Sequence, residues 1–154
     1  MTANTAYLYD LDLHFGGGEA WQGALMQQID PLTAEQASWK PAPDRHAIWD
    51  IVIHVNFWKE YMIAAARGQE KPDQEKGNWS LTPADANEAN WQKELTRTRS
   101  IQEELRAICN DYGDKLYSTE DRTVNFIRQL IYHDAYHAGQ IGLLRVMQGL
   151  KPVE

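Results

Sequence analysis

Apolar side chains recur at intervals of three and four along four stretches of this chain, and no run alternates long enough to make a useful strand. That period commits the chain to helices that each hide one stripe, and the simplest way to hide four stripes is an all-α, antiparallel four-helix bundle. The first stretch, from about Asn4 to Asp30, carries Tyr7, Leu8, Leu11 and Phe15, then Trp21, Leu25, Met26 and Ile29. Gly16, Gly17 and Gly18 interrupt it. Three glycines cost roughly 3 kcal/mol relative to alanine inside a helix, so the first helix is expected to be kinked or broken there.

Pro31 opens a connection that runs to Asp44; Pro41 and Pro43 forbid regular helix within it, and Asp44 is placed to cap the next helix. That second helix is expected over about His46 to Arg67, stopping at Gly68. Gln69 to Leu81 is polar, contains Pro72 and Gly77, and reads as a surface loop pinned by Trp79. Thr82-Pro-Ala-Asp85 has the form of a helix start: a capping hydroxyl, a proline in the first turn and an acid behind it. The third helix then runs to about Asn110, with Trp91, Leu95, Thr98, Ile101 or Gln102, Leu105 and Ile108 facing inward. Gly113 and Ser118-Thr119 belong to the next loop. The last helix, about Thr123 to Gln148, carries Phe126, Leu130, His133, His137, Ile141 and Leu144 on one stripe and ends at Gly149. The loops after the first and second helices are long enough for crossovers, which leaves the helix order open.

At 154 residues the chain fits one domain, 1–154, able to bury roughly two-thirds of its unfolded surface. A single cysteine, Cys109, excludes an internal disulfide and a cysteine-based zinc cluster, and its spacing from Leu105 marks it as core filler. With no basic-then-apolar leader and no run long enough to span a bilayer, the expectation is a cytoplasmic protein with no membrane partner. Lysine plus arginine number 15 against 22 acidic residues, a net charge of -7, which disfavours nucleic acid. The tryptophans and tyrosines sit at helical spacings, not interleaved with basic residues as base stacking requires.

His133 and His137 are four apart, which puts their Cβ atoms about 5–6 Å from each other on one helical face, where two imidazoles can share one metal ion. The residues between them are Asp134-Ala135-Tyr136, so the glutamate base of an H-E-x-x-H protease is missing. Both histidines interrupt a stripe that should face the core, where an unpartnered polar group costs roughly 1–3 kcal/mol. His54 breaks the face of Ile51, Trp58 and Tyr61 in the same way on the second helix. Any one of them alone reads as a hydrogen-bonded core residue. Three inward histidines from two helices are met more simply by one cation, held by His54, His133 and His137. Three nitrogen ligands leave a position open for water or substrate. Trp58, Tyr61, Tyr132 and Tyr136 are placed to line a pocket for that small-molecule substrate, with core packing as the commoner use of aromatics at such spacings. Asp50 and Gln140, each about a turn from a ligand, are candidates to orient a ligand or a bound water; for Asp50 a solvated face competes equally. His14 reads as exposed, with an approach to the site as the alternative, and His46 as a residue that caps or packs against the Pro41–Pro43 connection. No basic pocket motif is visible.

The stretch Trp39-Lys-Pro-Ala-Pro-Asp-Arg-His-Ala-Ile-Trp-Asp-Ile-Val-Ile-His54, the stretch His133-Asp-Ala-Tyr-His137-Ala-Gly-Gln-Ile141, and Gly18-Glu-Ala-Trp-Gln-Gly23 near the start together resemble the DinB/YfiT-like family of metal-dependent hydrolases, over nearly the whole chain. The resemblance implies a DinB-like four-helix bundle holding a nickel or zinc ion, with iron or manganese as alternatives, through one histidine of the second helix and two of the fourth: His54, His133 and His137. It also implies a homodimer. Some relatives transfer low-molecular-weight thiols such as mycothiol or bacillithiol, so the expected activity is metal-dependent thiol S-transfer. A hydrolase using a metal-bound water is one alternative; a non-catalytic metal-binding stress-response or interaction protein is the other. The family's link to DNA damage suggests a DNA role, against which the net charge argues.

Overall fold

The apolar stripes form helices largely where the periodicity puts them, and the departures have local causes. The structure is a computed structural model describing residues 2–19, 21–79 and 82–153. Helix α1 (Ala3–Gly16) starts at Thr2, whose hydroxyl accepts the Thr5 N–H, and stops where Gly17 takes φ 95°, a conformation glycine adopts without penalty. The chain resumes as α2 (Leu25–Ile29). The glycine break puts Trp21 out of phase with the apolar stripe of its stretch, and its side chain is fully exposed. A short α3 (Ala34–Ser38) lies inside the connection expected to be irregular, held by reciprocal Thr33 and Gln36 hydrogen bonds.

Helix α4 (Ile48–Ala66) begins slightly later than the sequence suggests. Asp44 is exposed and does not cap it; the Asp50 carboxylate reaches back 2.9 Å to the Ala47 N–H. A single turn, α5 (Gln74–Gly77), interrupts the following loop, whose expected end at Leu81 lies outside the described residues. Helix α6 (Glu88–Tyr112) is capped by Asn87, not Thr82, and is followed by a 3-10 turn over Gly113–Tyr117. Asp121 caps α7 (Arg122–Met147), which ends before Gly149 at φ 77°. Among the described residues there is no strand, and no helix is long and apolar enough to cross a membrane.

The side-chain bonds between helices settle the order. Leu11, Asp12 and Asn4 meet Gln102, Arg106 and Asp114 in turn, so α1 and α6 are antiparallel. His54 and Lys59 of α4 meet His137, His133 and Asp134 of α7, with Met62 and Ala65 further along lining the same groove as Leu130 and Phe126, so that pair is antiparallel too. Asn56 and Lys59 meet Thr98 and Gln102 in the same sense, so α4 and α6 run parallel. The bundle is therefore up-down-down-up, and the described residues 67–79 and 82–87 lie on the chain's return between α4 and α6.

Two apolar zones fill the interior. One gathers Leu25, Ile29, Ile48, Trp49, Val52, Trp91, Leu95 and Ile141; the other Tyr7, Leu11, Leu105, Cys109, Leu116 and Ile127. Cys109 is filler as expected, its thiol pushed up to about 12 by burial. Between the zones lies a polar layer. Asn56 bonds Thr98 and Glu94, and Lys59, with no exposed surface, sits 2.6 Å from Asp134 Oδ2 and 2.8 Å from Gln102 Oε1. The inner face of α6 is buried as expected, and so are Leu130, His137, Ile141 and Leu144 of the expected α7 stripe, whereas Phe126 is 45% exposed; Val124, Ile127, Ile131, Asp134 and Ala138 widen the core side of α7.

Candidate metal centre

The level of the polar layer is also where α4 and α7 aim three imidazoles at one another. His133 Nε2 lies 3.3 Å from His54 Nε2 and 3.1 Å from His137 Nε2, and one ligand atom from each of the three falls within 4.8 Å of the others. Zinc binds imidazole nitrogen at about 2.0–2.1 Å, so nitrogen pairs this close are ones a single ion could bridge.

The far side of each ring decides what its near side can do. His54 Nδ1 is 2.7 Å from the Asn78 carbonyl, and His137 Nδ1 is 2.7 Å from Gln140 Oε1. Both partners only accept, so both Nδ1 atoms carry the proton and both Nε2 atoms present bare lone pairs to the centre. His133 Nδ1 is buried with no partner among the described residues. A proton moved to His133 Nε2 serves one neighbour and leaves the other lone pair unanswered. A divalent cation satisfies all three, so the residues present fit one, and the outer acceptors are of the kind that fix ligand tautomers.

The electrostatics point the same way. Burial holds His133 down to about 3, with the other two histidines and Lys59 adding to it. Burial lowers His137 to about 4 against the opposing Gln140 bond, and lowers His54 against the Asn78 bonds. All three are neutral near pH 7, the form in which imidazole binds metal.

The remaining residues named from the sequence separate into two groups. Gln140 ties His137 to the Tyr136 hydroxyl, which accepts the Gln140 amide at 3.0 Å. Trp58 donates to Asn78 Oδ1, steadying the residue whose carbonyl holds His54. Trp58, Tyr61, Tyr132 and Tyr136 line a groove of about 810 Å³ between α4 and α7, and His133 is the member of the trio that lines it. Asp50 is neither on a solvated face nor bonded to a ligand. It is fully buried, accepting the Ala47 and Thr82 amides and the Thr82 hydroxyl, with Lys40 Nζ at 3.1 Å. Burial pushes its carboxyl up, but these bonds outweigh it and hold the group below the usual range. His14 bonds the Asp10 carbonyl and takes no place in the trio.

Sequence reasoning missed Asn78, whose contribution is a backbone oxygen, and the placement of two rings. Trp79 lies flat on His54 at 3.7 Å, and His46 lies on Trp79 at 4.2 Å in place of the Pro41–Pro43 connection. Asp134 turns away from the trio toward Lys59, so it is not a shortened version of the missing glutamate base. The groove also holds Lys71 and Arg122, although the sequence shows no basic motif.

No curated protein and no solved structure matches the chain. The profile of the DinB superfamily matches residues 19–141, a span that takes in all three histidines and most of the bundle; the chain belongs to that superfamily.

Proposed function

We propose that the protein is a metal-dependent enzyme that binds one divalent transition-metal ion, zinc or nickel, through Nε2 of His54, His133 and His137, and activates a low-molecular-weight thiol for S-transfer. The observation that carries the metal is the set of facing Nε2 atoms, two of them stripped of protons by the Asn78 and Gln140 acceptors. When bound, the ion supplies Lewis acidity, which keeps a thiol in its thiolate form at neutral pH. His133 turns the centre toward the groove, through which a substrate reaches it. Trp79 covers the His54 ring on another side and sheds water from it. The choice of a thiol over water rests on what surrounds the trio. Activation of water for hydrolysis calls on a nearby carboxylate base, and the neighbouring Asp134 is committed to Lys59, whereas a thiol needs only to release its proton to solvent.

Elemental analysis of untagged protein, then conjugation of monochlorobimane with a panel of small thiols, tests both halves. The expected result is close to one ion per chain and conjugation that stops on chelation. Metal-dependent ester hydrolysis without conjugation would replace thiol transfer by hydrolysis, and bound metal with neither activity would leave a metal-binding protein alone.

The same reading includes a homodimer. Helix α7 exposes Tyr132, Tyr136, Gly139, Leu143 and Val146 at alternating four-three spacing, an apolar seam that fits a second copy of the same helix.

A further inference from the structure

The groove that leads to His133 differs in charge from the rest of the molecule. The chain carries a net charge of -7, yet no carboxylate lines this hollow among the described residues, while Lys71 and Arg122 both do. Neither cation has a carboxylate partner among the described residues. Instead, each is held over an aromatic ring of the same groove, Lys71 at 5.5 Å from the Tyr61 ring centre and Arg122 at 5.4 Å from that of Phe126. Ring faces hold a cation in place without neutralising it. The walls between the cations and His133 are apolar or aromatic, formed by Trp58, Met62, Leu130 and Tyr136. Along α7, Arg122 and His133 are separated by about 16 Å of helix axis, part of which the arginine side chain spans.

Resting on the metal-centre reading, we infer that the groove binds an elongated amphiphilic anion: a reacting end at His133, an apolar or aromatic body along the walls, and a carboxylate, sulfonate or phosphate at Lys71 and Arg122. A neutral ligand of the same length leaves both cations unanswered. A short anion cannot reach them while it touches the centre. The groove volume of about 810 Å³ is in the range that encloses a ligand of this size.

Calorimetric titration of the full chain, zinc-loaded and zinc-free, with mercaptooctanoate, mercaptooctanol, octanoate and octanol separates this inference from the one it rests on. Zinc-loaded protein is expected to bind mercaptooctanoate at least tenfold tighter than mercaptooctanol. The Lys71→Gln/Arg122→Gln variant is expected to lose that preference and still bind both thiols; neither residue is buried, and circular dichroism checks the fold. Zinc-free protein is expected to favour octanoate over octanol. Equal affinity for acid and alcohol in wild-type protein, or a preference that survives in the double variant, overturns the anion site and leaves the metal reading intact. A preference for octanoate that the variant abolishes, with no gain from the thiol in zinc-loaded protein, overturns thiol binding at the metal and leaves the anion site standing.

Discussion

Helices α4 and α7 build two buried polar clusters within a turn or two of each other, and the two are solved in opposite ways. Lys59 and Asp134 bring their own opposite charges, meet at 2.6 Å and recruit Gln102. His54, His133 and His137 bring three like dipoles, lone pair toward lone pair, with nothing among the described residues to separate them. His133 and Asp134 are chain neighbours, yet the 100° step of the helix sends one to the groove side and the other into the core. A cluster that closes on itself is structural. One that closes only around a cation is a site.

The contrast is broken most severely from the lysine side. Lys59→Met leaves Asp134 buried and unpaired and is expected to destabilise the zinc-free protein by about 3–5 kcal/mol, read from its urea midpoint, whereas adding Asp134→Leu should recover most of the loss. A small loss for Lys59→Met, or no recovery on adding Asp134→Leu, would mean that the pair is not the unit we describe. From the histidine side the effect falls on the ion: His137→Ala should lower zinc affinity at least tenfold in a competition titration, with the zinc-free urea midpoint moving far less than for Lys59→Met. Unchanged zinc affinity would remove His137 from the ligand set. Gln140→Leu, which strips the acceptor from His137 Nδ1, should cost about tenfold in zinc affinity, the lower end of what outer partners contribute. Retained affinity would show that the tautomer is fixed by something else.

Acid separates the clusters as well. His133 and His137 stay neutral in the folded protein down to about 3 and 4, whereas in the unfolded chain they take up protons near their ordinary 6.5. The unfolded state therefore binds more protons below about pH 6.5, and stability of the zinc-free protein should fall as pH drops from 7 toward 4. His133→Phe should flatten that slope in urea midpoints measured at several pH values; an unaltered slope would assign it to other groups. The smallest effect concerns the surface. Leu143→Glu should turn a dimer into a monomer by light scattering, with zinc binding retained, and a wild-type monomer would dispose of the seam.

Most of the frame was legible because it is local. The buried face of α6, from Trp91 to Ile108, comes from spacing alone, and the three histidines stood out as polar interruptions of apolar stripes. What failed was whatever a distant residue decides. Thr82-Pro-Ala-Asp85 satisfies every local rule for a helix start, but Asp50, 32 positions earlier, takes the Thr82 hydroxyl and amide, and the helix starts at Glu88 instead. Phe126 keeps the period of its stripe but sits on the open groove, while Leu130, His137, Ile141 and Leu144 of the same stripe are buried as the spacing says. The Lys59–Asp134 contact joins residues 75 positions apart, with a lysine that composition alone would place outside.

The return path between α4 and α6 gives the up-down-down-up order a chemical meaning. A hairpin of a few residues would reverse the chain and touch neither helix midway; the long return instead drops Asn78 onto His54 and Trp58, Trp79 onto the imidazole face, and Thr82 onto Asp50. The segment that looks most like spare surface loop is thus the outer wall of the histidine trio. Trimming it would strip the histidine trio of its outer partners before it cost the bundle its shape.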